Sequence, residues 1–172
     1  KKRFNIKVSG IDYDAKYIFS DLGYNFLPSE ISAAFALEQL KKLPNNIKSR
    51  IVNFKKLSSF FNNFSKYFKL PVSFKDVKTA WLAFPILIKK NKKFSRKDLQ
   101  IFFEKKNIQT RTIFTGNILK QPVMKNKIYR SSKNAEEISN EVMKNGILIG
   151  CHQGLSNSDL KYIFNIFKKF AK

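Results

Sequence analysis

Cysteine, histidine, glycine and acidic residues are all scarce in this sequence of 172 residues. A single cysteine, Cys151, excludes a disulfide framework and any all-cysteine metal site built from this chain alone. The single histidine, His152, sits directly beside it. A Cys-His pair can make a nucleophile, but neighbours on a strand point to opposite faces, and no acid is marked out to orient the pair. Packing and loop hydrogen bonding are the roles expected of the two. The six glycines form no glycine-rich phosphate loop, and no metal-ligand spacing occurs. Long apolar runs are missing too: nothing approaches the ~18 consecutive apolar residues that cross a bilayer. The opening KKRFNIKVSG is basic and lacks the apolar stretch of a secretory leader. A cytoplasmic protein with no membrane association is expected. Because the chain starts at Lys rather than Met, it is also expected to be a piece of something longer.

What the sequence does contain is aromatic and basic. Eighteen phenylalanines and 43% hydrophobic residues are enough for a folded core. Lys and Arg number 34 against 12 Asp and Glu, for a formal net charge of +22. Such an excess is the footprint of a nucleic-acid or other anionic partner. Lys, Asn, Ile and Phe are enriched together, however, and the lysines are scattered rather than gathered in one tract. The bland explanation is compositional bias, so the charge serves only as support for an anionic ligand. Aromatics and lysines interleave in NFKKLSSFFNNFSKYFK (Asn53–Lys69), as in a base-stacking platform. The same phenylalanines fall at helical spacing, which describes a core face better.

The periodicity predicts an α+β chain. Residues 1–28 read as irregular. A helix opens at Pro28-Ser29-Glu30 with apolar positions at Ile31, Ala34, Phe35 or Leu37, Leu40 and Leu43. Pro44 is expected to break it, with a second helix from Ile47 presenting Ile51, Phe54, Leu57, Phe61 and Phe64 on one face. TAWLAFPILIKK (Thr79–Lys90) reads as a strand, and Pro85 places it at an edge or bulge. Ser95 to Asp98 forms a capping box for a helix that turns Leu99, Phe102 and Phe103 inward. IQTRTIF (Ile108–Phe114) alternates like a half-buried strand, and Asn134 caps a short helix through Met143. GILIGC (Gly146–Cys151) is a short apolar strand. Ser156 to Asp159 caps a last helix with Leu160, Ile163, Phe164 and Phe167 on one face. Helices covering one face of a short sheet are the natural assembly.

The loop after the Ile108–Phe114 strand carries the most chemistry. Gly116 permits close backbone approach or a positive φ. Asn117 and Gln121 offer amides, and Lys120 offers a positive charge for a phosphate. Arg111 on the strand could grip a carboxylate or phosphate as a fork. An ordinary turn with solvated polar groups fits these residues equally well, and the residues alone leave both readings open.

Three stretches resemble one family in order along the chain. YDAKYIFSDLGYNFLPSEISAAFALEQLKKLP (Tyr13–Pro44) is similar to a segment of the DegT/DnrJ/StrS family of sugar aminotransferases, with its Gly-Tyr-Asn turn before a helix of Ala-Ala and Gln-Leu. IQTRTIFTGNILKQP (Ile108–Pro122) resembles the branch of nucleotide-sugar 3-dehydratases, where Arg is followed by Gly-Asn, a basic residue and Gln-Pro. NGILIGCHQGLSNSDLKYI (Asn145–Ile163) resembles the family's closing strand, Gly-Leu turn and last helix.

The resemblance implies the fold-type I (aspartate aminotransferase-like) architecture of pyridoxal phosphate enzymes, seen here only in its C-terminal portion. Residues 1–28 would be an edge of the large cofactor domain, 29–70 linking helices, and 71–172 the small C-terminal α/β domain. It also implies a pyridoxal or pyridoxamine phosphate cofactor, a nucleotide-linked 4-keto-6-deoxyhexose substrate, loss of the C3 hydroxyl, and a homodimer. One subgroup adds an iron–sulfur cluster and a reductase partner; the cluster's cysteines are absent from this chain. By the same resemblance Asn25 contacts the cofactor phosphate, and Arg111, Asn117, Lys120 and Gln121 face the sugar nucleotide. Leu27 departs from the pattern, which has a basic residue there. The catalytic His, or the Lys of a nucleotide-sugar aminotransferase, lies outside this chain, so that alternative stands beside the dehydratase. A basic anion- or nucleic-acid-binding module is the alternative from a different class.

Overall fold

The computed structural model describes residues 6–8, 11–13, 24, 26–91 and 93–171. The chain divides into two compact units, Lys1–Leu40 and Lys41–Lys172, and each is taken by itself.

In the first unit β1 (Ile6–Val8) and β2 (Ile11–Tyr13) pair antiparallel, with Lys7 opposite Asp12. A stretch that reads as irregular therefore holds a short two-stranded ladder. Asn25 lies outside the described residues. Tyr24 and Phe26 stack with ring centroids 5.7 Å apart, and both are exposed. Helix α1 begins at Glu30; at about 3.6 residues per turn its apolar residues Ile31 and Phe35 fall on one side and Leu37 and Leu40 on the other. All four remain 61–83% exposed, so the single apolar stripe expected from the spacing does not form, and no described residue buries these side chains.

The expected break at Pro44 does not occur. α1 runs unbroken over Glu30–Asn62 with Pro44 inside it. An interior proline removes one ladder bond and costs ~3 kcal/mol. That cost does not end the helix, because the following turns are anchored by Phe54, Leu57 and Phe61, all buried in the second unit's core. Tertiary packing outweighs the local preference.

In the second unit four antiparallel strands lie in the order β3-β4-β6-β5, where β3 is Phe68–Lys69, β4 Ala83–Ile88, β5 Thr110–Thr112 and β6 Gly146–Gly150. Alternate residues set the two faces. Phe84, Ile149 and Thr110 share one row across the sheet, and all three are buried. The next row, Pro85, Leu148 and Arg111, faces the other way; the first two are half-buried and Arg111 is exposed. The inward face is covered by the second half of α1, by α2 (Arg96–Glu104) and by α4 (Asn157–Ala171). Rings knit this core: Phe54 and Phe61 against Phe84 at 5.3 and 5.7 Å, and Phe61 against Phe167 at 5.1 Å.

Pro85 is not on an edge strand, since β4 pairs on both sides. However, β3 reaches only Leu87 and Ile88, so at Pro85 the β3 side carries no ladder. A residue without an N–H fits there at no loss. The strand expected over Ile108–Phe114 is reduced to Thr110–Thr112, because the backbone turns at Phe114 with φ +44°.

Both capping boxes form. Ser95 accepts from the Asp98 N–H, and the Asp98 carboxylate accepts from the Ser95 N–H at 2.8 Å. Ser156 and Asp159 repeat the exchange at the start of α4. These bonds from serine hold both carboxyls below their ordinary pKa. α3 (Lys133–Asn145) leads straight into β6, with Ser132 rather than Asn134 at its N-cap. Among the described residues no helix is long and apolar enough to cross a membrane.

Candidate functional site

The loop that follows β5 is folded by its own polar residues. The Gly116 N–H donates to the Ile113 carbonyl at 2.9 Å, and Gly116 takes φ +65°. A Cβ at Gly116 would lie 2.4 Å from Met143 Cβ, so only glycine lets the loop backbone rest on α3. Asn117 is 2% exposed and caps a single 3₁₀ turn over Ile118–Lys120, its Oδ1 accepting from the Leu119 N–H at 3.0 Å. Its Nδ2 donates to Asn140 Oδ1 on α3 at 2.9 Å. The Gln121 amide donates to the Thr115 carbonyl at 2.9 Å, closing the loop. Lys120 is exposed, as is Phe114, which is held in a backbone conformation that costs most residues energy.

Arg111 is exposed on the edge strand β5. It lines a pocket of about 370 Å³ with Asn107, Leu148, His152, Asp159 and Tyr162. Gln121 belongs to a different hollow of about 270 Å³, with Arg96, Thr112, Thr115 and Met143. The four loop and strand residues named from the sequence thus take two kinds of place. Arg111 and Lys120 offer exposed cations, while the Asn117 and Gln121 amides bond within the chain.

Three supporting residues escape a sequence reading. Glu104, at the end of α2, accepts from the Thr110 N–H and hydroxyl at 2.6 and 2.8 Å, which fixes the start of β5 beside Arg111. Those bonds, with a smaller contribution from the Arg111 charge, hold the Glu104 carboxyl below its ordinary pKa. Asn53 on α1 is 5% exposed and donates to the carbonyls of His152 and Leu155, pinning the loop after β6. A polar residue at a core position of a periodic face was the available signal for Asn53. Asn140 gave none, because its partner lies 23 residues away.

Cys151 and His152 serve the roles expected of them. Cys151 is fully buried, its thiol directed to the Arg50 carbonyl at 3.6 Å. Burial pushes the thiol up from 9.0 to about 11, against a small opposing pull from Arg50. A neutral, enclosed thiol is a poor nucleophile. In the native protein Cys151 is therefore expected to resist a disulfide reagent at about pH 8 and to react once denaturant is added. Fast native labelling, followed by absorbance, would contradict this placement. His152 is exposed, and its Nδ1 accepts from the Gly154 N–H at 3.2 Å. The phenylalanines of the Asn53–Lys69 stretch lie in ring-to-ring contacts of the core, for example Phe60 on Phe164 at 4.1 Å. A base-stacking platform loses its aromatics to that core. Among the described residues no cluster of three or more His, Cys, Asp or Glu is placed to hold a metal.

Comparison with known proteins places this architecture. Over 98% of its length the chain is 31% identical to the lipopolysaccharide biosynthesis protein RfbH of Salmonella typhimurium, covering 39% of that protein. It is 32% identical over 94% of its length to the GDP-4-keto-6-deoxy-D-mannose 3-dehydratase of Escherichia coli O55:H7, covering 42% of it. A solved E. coli GDP-4-keto-6-deoxy-D-mannose-3-dehydratase with bound hydrated PLP superposes with a TM-score of 0.77 at 31% identity, over 88% of this chain and 38% of that one. The chain thus spans about two fifths of the length of the curated relatives it matches. The model of the DegT/DnrJ/EryC1/StrS aminotransferase family matches residues 1–168, and the chain belongs to that family.

Proposed function

We propose that this chain is the C-terminal part of a pyridoxamine or pyridoxal phosphate-dependent dehydratase. Its substrate would be a nucleotide-linked 4-keto-6-deoxyhexose, which loses its C3 hydroxyl on the way to deoxysugars of surface polysaccharides. Likeness over nearly the whole chain to proteins named as 3-dehydratases carries this reading. In this frame residues 1–28 edge the large domain of a fold-type I enzyme, 29–70 link, and 71–172 form the small domain. The exposed apolar residues Ile31, Phe35, Leu37 and Leu40 support it, since apolar side chains left bare around a helix suit cover by further protein.

The described residues fit the substrate better than the cofactor. The N-termini of α2 and α4 are closed by Asp98 and Asp159, whose charges repel a phosphate, and the Gly116 amide is already bonded. Asn25, beyond the described residues, is the one position proposed to reach the cofactor phosphate, across a homodimer. When bound, the cofactor supplies the electron sink for the elimination. Arg111 and Lys120 supply two separated positive charges, which suit an elongated anion such as a nucleoside diphosphate sugar. Asn117 and Gln121 act on the substrate through the loop shape they maintain.

Lys120→Ala in the full-length enzyme is expected to raise the KM for the nucleotide sugar by about ten- to a hundredfold, the value of one charge-assisted contact. Steady-state rates with the sugar as varied substrate measure this, and an unchanged KM would dismiss the loop as a substrate contact. Transfer of an amino group to the sugar, in place of dehydration, would identify an aminotransferase instead.

A further inference from the structure

Lys120 is presented by a loop that α3 holds at two points. At Gly116 the loop backbone lies against Met143, too close for any side chain between them. One helical turn earlier, the Asn140 side-chain oxygen Oδ1 accepts from the buried Asn117 Nδ2. The first contact sets the separation of loop and helix. The second sets where the loop sits along the helix axis, because a hydrogen bond is directional where an apolar contact is not. Asn117 uses both ends of its amide: Oδ1 accepts from the Leu119 N–H within the loop, and Nδ2 donates across to α3.

α3 is itself fixed from outside the loop. Arg96 Nε donates to the Lys144 carbonyl at 2.9 Å, tying the C-terminal end of α3 to the start of α2. Just beyond that end, a Cβ at Gly146 would lie 2.7 Å from Ile113 Cδ1, so the start of β6 fits closely against the residue that follows β5. A helix anchored in this way can act as a fixed reference for the loop.

We propose that Asn140 is a positioning residue for substrate binding. By fixing Asn117, it sets where Lys120 meets the anionic part of the nucleotide sugar. The proposal rests on the substrate-loop reading given above, and it assigns to α3 a role that its half-exposed residues do not advertise.

The test is made in the full-length enzyme. Asn140→Leu removes the acceptor at similar size and is expected to raise the KM for the nucleotide sugar about tenfold, the value of one buried hydrogen bond. The kcat and the cofactor absorbance of the purified enzyme should stay near wild type, and the melting temperature should fall by no more than a few degrees, since the buried Asn117 amide loses its acceptor. Asn140→Asp keeps an oxygen for the Asn117 amide and should restore KM. Asn140→Ser, a milder change, carries the same expectation as Leu should the Leu variant not fold. An unchanged KM in the Leu or Ser variant overturns the proposal. So does a joint fall in kcat, cofactor content and melting temperature, which marks a purely structural role, or equal damage from Leu and Asp. Lys120→Ala separates the two ideas. If it leaves KM unchanged, the substrate-loop reading fails; if it raises KM while Asn140→Leu does not, only the positioning role fails.

Discussion

Phe167→Ala is expected to destabilise the Lys41–Lys172 unit by about 3–5 kcal/mol, the usual cost of emptying a buried aromatic site. Phe167 is fully buried on α4. Its ring lies 4.8 Å from Phe64, 5.1 Å from Phe61 and 5.5 Å from Phe68, so it joins α4 to α1 and to β3 at once. Those with Phe64 and Phe61 are edge-to-face contacts, each worth about 0.5–1.5 kcal/mol beyond burial. Aromatic neighbours are rigid and close poorly over a void, which places the expected loss toward the upper end of the range. A domain holds only about 5–15 kcal/mol in total, so this variant should approach the unfolding threshold. Denaturant titration measures the effect. Phe74→Ala, at a residue 70% exposed, is the control and should change stability by no more than about 0.5 kcal/mol. A loss below about 1 kcal/mol for Phe167→Ala would mean that the ring cluster is not the centre of the core.

Gly116→Ala should be the most damaging single-atom change in the loop. Two penalties combine. The left-handed backbone at φ +65° costs a residue with a Cβ about 1–2 kcal/mol. The new Cβ would also lie 2.4 Å from Met143 Cβ and 2.6 Å from Met143 Cα, and forced overpacking costs about 1–3 kcal/mol. Because Met143 Cα is backbone, no rotation of the methionine side chain clears the space. Met143→Ala is therefore expected not to rescue Gly116→Ala, which a paired melt would check. Gly150→Ala offers the contrast, since its Cβ would meet nothing closer than 3.5 Å and should cost less than about 1 kcal/mol. Equal melting temperatures for the two alanine variants would show that the Gly116 backbone does not rest on α3.

The two variants probe different levels of the chain. Phe167 lies on a periodic apolar face, and its burial was legible from the spacing of Leu160, Ile163 and Phe167. The capping boxes at Ser95 and Ser156 were legible for a related reason: each is a contact between residues three apart, so the sequence alone brings the partners together. Gly116 was legible only as a freedom. That its backbone rests on Met143, 27 residues later, depends on how α3 docks. The same limit explains the polar loop. Asn117, Lys120 and Gln121 looked alike as polar groups, but the fold turned the two amides inward and left the lysine exposed.

By itself the sequence determined the later helices, the two serine capping boxes, the aromatic core face and the family, because each rests on residues close together in the chain or on motifs in order; the β1–β2 ladder, β3 and the Ser132 cap of α3 were not legible in it. It misjudged Pro44, where the local penalty was smaller than the packing of Phe54, Leu57 and Phe61 farther along the same helix. Only the tertiary structure decided that Pro85 sits beside a bare stretch of a central strand. The assembled chain likewise decided that Glu104 braces β5 and that Asn140 holds the loop. Each of those depends on contacts between distant segments, and a hydrogen bond across such a gap leaves no periodic trace in the residues that make it.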